Sequence, residues 1–194
     1  MDLRRSMTYL VASALVVTGC GEVDTGPTGP SGSAALGSAD HGLSLTAAPA
    51  AAGARNFVAP LDSDQEVPSV DSRARGMAHF QLSLDGDELS YRLNVANIQD
   101  VLMAHIHLAP RGENGGIVVW LYPSSPPPEL IPGRSNGTLA TGTVAADDLV
   151  GDLGGEELSA LLDAMEAGDT YVNVHTTANP AGEIRGQIQV AGPR

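Results

Sequence analysis

Three histidines stand where an imidazole can do chemistry. His105 and His107 lie two residues apart in "MAHIHL" (103–108), and His175 lies in "YVNVHT" (171–176). In an extended chain, alternate side chains share a face. Met103, His105 and His107 therefore point one way, and Ala104, Ile106 and Leu108 the other. Tyr171, Asn173 and His175 likewise oppose Val172 and Val174. The Cβ atoms of a His-x-His pair lie roughly 6.5–7 Å apart. Two tilted rings at that spacing reach one ion about 2 Å from each nitrogen. A third ligand must come from another strand, and His175 supplies it if strand 170–176 runs beside strand 102–108. Met103, with Met77 and His79 of "GMAHF" (76–80), would add soft supplementary ligands. Imidazole with thioether favours copper over magnesium or calcium, and imidazole alone suits zinc equally. A second reading needs no metal: His105 donates to a carbonyl of "RGENGG" (111–116), and His175 ties down "TTANPAGE" (176–183). His79 taken alone reads as a surface residue, and His41 has no role.

The elements that must position these residues are strands. "NFVAPL" (56–61) reads as a short one. "GMAHFQLSLD" (76–85) alternates, with Ala78, Phe80, Leu82 and Leu84 on one face. "ELSYRLNVAN" (88–97) turns Leu89, Tyr91, Leu93 and Val95 inward. Asp85-Gly86-Asp87 between them is a hairpin signal. Further strands are expected at 102–108, 116–122, 137–145, 170–176 and 183–190. About eight strands with turns between them predict an all-β Greek-key sandwich or barrel. "EELSALLDAMEAG" (156–168) breaks the pattern. It places Leu158, Leu161, Leu162 and Met165 on one face of a short amphipathic helix, with Gly168 as its C-cap. "PSSPPPELIPG" (123–133) reads as an exposed loop, because proline removes ladder donors.

The chain has 194 residues, a net charge of −13 and no lysine. Nucleic acid is an unsuitable partner for so acidic a surface, whereas a cation is a suitable one. The one cysteine, Cys20, follows a basic n-region (Arg4, Arg5) and an apolar run from Met7 to Val17. Val17-Thr18-Gly19-Cys20 resembles a bacterial lipobox, in which the cysteine receives lipid after cleavage. Residues 1–19 are then a lipoprotein signal peptide, and the apolar run is too short to span a bilayer. Residues 20–54, rich in Gly, Ser, Thr, Pro and Ala, form a lipid-anchored flexible tether. Its mean reach is about 30–35 Å. Residues 55–194 form the folded domain. With Cys20 acylated, the mature chain has no free thiol, which excludes disulfides, thiol catalysis and cysteine-rich zinc sites. The expected location is the bacterial cell envelope, extracytoplasmic and held to the membrane through Cys20.

Glu66, in "QEVP", and Glu183 with Arg185, in "GEIRGQI", are placed to pair across the first and last strands and fix register. "DLVGDLGGEE" (148–157) is acidic but lacks the spacing of a calcium loop. No nucleophile elbow, P-loop, dinucleotide fingerprint or H-E-x-x-H is present. No catalytic residue is therefore assigned.

Three segments, "QEVPSV" (65–70), "AHIHLAPRGENGGIVVWL" (104–121) and "AGDTYVNVHTTANPAGEIRGQI" (167–188), together resemble the chordin-type (CHRD) domain over residues 56–190. The resemblance implies an all-β domain of secreted proteins, and so a fold more readily than a function; its animal namesake is an extracellular antagonist of growth factors. That partner does not transfer to a bacterial lipoprotein. A fainter similarity is to the copper–zinc superoxide dismutase barrel, which carries a His-x-His on one strand and another copper-binding His on a distant one. Here the bridging imidazole, the zinc loop and the disulfide have no counterparts. The expected function is a lipid-anchored binding or structural module for an unknown envelope or extracellular partner. The alternative is a mononuclear copper or zinc protein built on His105, His107 and His175; a superoxide-reactive copper enzyme is a third.

Overall fold

The computed structural model describes residues 56–192. Cys20 and the segments expected to be a signal peptide (1–19) and a tether (20–54) lie outside the described residues. Eight strands and one α-helix follow in order: β1 (Asn56–Asp62), β2 (Arg75–Leu82), β3 (Leu89–Leu108), β4 (Gly116–Tyr122), β5 (Ile131–Val144), α1 (Leu158–Ala167), β6 (Thr170–Thr176), β7 (Ile184–Gln187) and β8 (Gln189–Val190). The sheet runs β2-β1-β7-β6-β3-β4, and β2 also pairs with β3, so it closes on itself as a barrel. Every pairing is antiparallel. The domain is all-β with one short helix, as the alternation of its strands predicts.

Closure depends on β3. Its first half lies between β2 and β5, and its second half between β4 and β6. The sequence suggests two strands here, 88–97 and 102–108, but the chain continues as one strand of 20 residues. The interruption is instead a pair of irregularities. Asn97 (φ 57°) and Asp100 (φ 53°) adopt left-handed backbone, which these two residue types tolerate better than most. The register with β5 shifts at both places. Each irregularity is anchored: Asn97 N–H donates to Asn136 Oδ1, and Asp100 Oδ1 accepts from Gly133 N–H at 2.7 Å. The strand bends and carries on, so residues 103–108 keep strand geometry.

The 76–97 hairpin forms as expected, closing at Leu82↔Leu89. Leu84 does not join the inward face. The strand ends at Leu82, and Leu84 is 80% exposed in the turn. The 123–133 loop yields its last residues to β5, an edge strand that is mostly exposed and so accommodates Pro132. The expected 183–190 strand divides into β7 and β8, with Ile188 N–H bonded to the Thr170 carbonyl.

Phe57, Phe80, Leu93, Ile98, Ile106, Val172 and Ile184 form part of the single core. Helix α1 packs Leu158, Leu161, Leu162 and Met165 into it. It stops at Gly168 (φ 78°), whose N–H caps the helix. Among the described residues, no helix is long and apolar enough to cross a membrane.

Candidate metal centre

The barrel pairs β3 with β6 in the register Met103↔His175, His105↔Asn173 and His107↔Tyr171. Directly opposite residues share a face, so the two strand faces named from sequence become one surface. His105, His107 and His175 meet on it, each offering a nitrogen within 4.8 Å of the others. All three are buried: His105 completely, His107 at 7% exposure and His175 at 5%. Ala104 and Ile106, on the opposite face, are fully buried in the core.

Two rings are oriented by carbonyls. His107 Nδ1 lies 2.9 Å from the Gly115 oxygen, and His175 Nδ1 lies 3.0 Å from the Pro180 oxygen. A carbonyl only accepts, so both Nδ1 atoms carry the proton, and the Nε2 atoms of these neutral rings are bare lone pairs. His105 Nδ1 lies 3.2 Å from His175 Nε2, where it donates to that lone pair. His105 Nε2 and His107 Nε2 are then buried acceptors without a hydrogen-bond partner. Asn173 Oδ1 on the same face also has none. The sequence pairs His105 with the 111–116 loop, but the ring that reaches this loop is His107. The expected tie between His175 and the 176–183 loop does form.

Aromatic rings wall the cluster. Trp120 of β4, the chain's one tryptophan, stands edge-on to His105 with ring centres 4.2 Å apart. Tyr171 stacks on His107 at 4.9 Å and 6°. The Arg185 guanidinium covers the other face of Tyr171, its carbon 3.4 Å from the ring centre. Arg185 is 1% exposed and donates to the Pro110 and Glu113 carbonyls and to Asn114 Oδ1. It thereby holds the loop whose Gly115 carbonyl orients His107.

This corrects the expected ion pair among Glu66, Glu183 and Arg185. Buried loop carbonyls need donors, and they take up the guanidinium. Glu183 instead accepts from Ser72 Oγ and Thr176 Oγ1, both at 2.7 Å. Glu66 is 7% exposed and its Oε1 has no hydrogen-bond partner. Burial pushes its carboxyl up to about 7, against the lowering effects of Arg185 and the Val67 N–H.

Burial keeps the histidines neutral. It pushes His105 down to about 3, with His175 and His107 adding to the effect. It pushes His175 down to about 4 despite the Pro180 carbonyl. His107 is also lowered by burial, against the Gly115 carbonyl and the Asn173 side chain beside it. Neutral imidazole is the form that ligates metals.

Of the supplementary ligands named from sequence, Met103 lies in register opposite His175, partly buried. Met77 and His79 lie on β2, where they pair with Asn94 and Arg92 in the first half of β3. His79 is exposed. Gly115, Pro180 and Trp120 escape sequence reasoning. The first two act through backbone oxygens, which no residue type signals, and Trp120 arrives only through the β3–β4 register.

The profile of the CHRD domain family matches residues 57–188. No curated protein and no solved structure matches the chain.

Proposed function

The chain belongs to the CHRD domain family, and we propose that it is a lipid-anchored extracytoplasmic module that binds one copper or zinc ion through His105, His107 and His175. The observation that carries this reading is the convergence of buried, neutral imidazoles in which two lone pairs are unpartnered. A buried acceptor without a partner costs about 1–3 kcal/mol. A cation placed among these nitrogens removes that penalty at each of them. His175 Nε2, which accepts from His105 Nδ1 at 3.2 Å, joins them as a ligand when the ion displaces that hydrogen bond. The Gly115 and Pro180 carbonyls are the outer partners that ligating histidines need. The three ligands include no carboxylate, so magnesium and calcium are poor occupants.

Trp120 reports on the site directly. Copper(II) titrated into residues 21–194 should quench its fluorescence, saturating at one equivalent. Equilibrium dialysis with zinc should give the same stoichiometry. Both responses should vanish in the His105→Ala/His107→Ala variant. No retained metal, or equal metal in wild type and variant, overturns the reading. The membrane anchor is tested separately: intact-mass analysis of the cell-derived protein should show acyl groups on an N-terminal Cys20, absent from a Cys20→Ser variant.

A further inference from the structure

We infer that Asn173 supplies a fourth, oxygen donor to this site and thereby selects a divalent ion over copper(I); the inference rests on the reading of the three histidines as ligands. Asn173 lies two residues before His175 on β6, directly opposite His105 on β3 and beside His107. It is 3% exposed and its side chain lies within hydrogen-bonding reach of His107, yet its Oδ1 accepts from no protein donor. Its partner across the β6–β7 ladder, Arg185, directs its guanidinium to Asn114, Pro110 and Glu113.

The donors and acceptors on this face do not balance. The ring protons of His107 and His175 go to Gly115 and Pro180, and that of His105 goes to His175. What remain are His105 Nε2, His107 Nε2 and Asn173 Oδ1, three acceptors with nothing to accept. Burying acceptors away from water without a donor is unfavourable, and a positive centre reaching them relieves it. A carboxamide oxygen is a hard ligand. It complements three imidazoles around zinc(II) or copper(II), whereas copper(I) prefers a thioether. Met103 is the thioether nearest in register, and the inference gives it no part in binding the divalent ion.

There is one competing arrangement. The Asn173 amide turned over would donate its NH2 to His107 Nε2 and compete with the metal for that lone pair. Asn173→Leu separates the two cases by sign, and being uncharged and similar in size it keeps the test open if Asn173→Asp fails to fold. Zinc affinity is measured by chelator competition on residues 21–194, with Trp120 fluorescence confirming the fold. Asn173→Leu should bind zinc at least tenfold more weakly than wild type. Asn173→Asp should bind at least tenfold more tightly, and Met103→Leu should match wild type. Cobalt(II) loaded in place of zinc should change its visible absorption in both Asn173 variants. Zinc affinity unchanged or increased in Asn173→Leu overturns the inference while leaving the three-histidine site standing. Absence of zinc binding in wild type overturns both.

Discussion

Replacing Glu66 by glutamine should stabilise the domain in alkaline solution and leave it unchanged in acid. The carboxyl is buried against Gly182, whose conformation (φ +134°) and missing Cβ make room for it. Burial raises it from 4.5 to about 7 in the folded protein. Between those values the unfolded chain has released this proton while the folded chain still holds it. Stability therefore falls as pH rises from about 4.5 to 7 and is level above that. The whole span amounts to about 3 kcal/mol at most. Glutamine copies the shape of the protonated acid and does not titrate. The difference between Glu66→Gln and wild type should be near zero at pH 4, grow through pH 6 and reach up to about 3 kcal/mol at pH 8. Urea denaturation followed by Trp120 fluorescence, with a chelator present, measures it. Titration of the histidines affects both proteins alike and cancels in the comparison. A difference that does not vary with pH, or a less stable variant at pH 8, would refute the assignment of Glu66 as a buried acid held by desolvation.

The metal-free domain should also lose stability in acid. His105 and His175 are pushed down to about 3 and about 4, and His107 is lowered, while the unfolded chain takes up these protons below its ordinary value of 6.5. The loss begins near pH 6.5 and reaches several kcal/mol by pH 4; zinc should oppose it, which denaturation with and without the ion will show. Gly115→Ala should weaken zinc binding about 10- to 100-fold, because the new Cβ would overlap the Leu108 carbonyl and displace the oxygen that orients His107; chelator competition gives the value.

The meeting of the three histidines was legible because period-two alternation is unambiguous in "MAHIHL" and "YVNVHT", and only the pairing of two segments had to be supplied. The core residues of the 76–97 hairpin, Leu84 excepted, were legible for the same reason, and those of α1 from their helical spacing. Irregular backbone was not. Asn97 and Asp100 read as the end of a strand, but tertiary pairing on both sides of β3 carries the chain through them as bulges. Register shifts between β3 and β4 at Ala104/His105 and Ile106/His107 likewise lie beyond a pattern of residue types, as does which imidazole reaches the Gly115 carbonyl. Formal charge points Arg185 to a carboxylate partner, whereas its guanidinium serves the loop carbonyls and Asn114. The loop's need for donors to its buried carbonyls is visible only once the loop is folded over the strand.

X-ray absorption at the zinc edge of the loaded protein tests the metal site most directly. The expected result is one zinc per chain with light-atom ligands near 2.0 Å and the outer-shell scattering of three imidazoles, reduced by one ring in His175→Ala. A hydrated ion with no imidazole signature, or a signature unchanged by loss of His175, would contradict it.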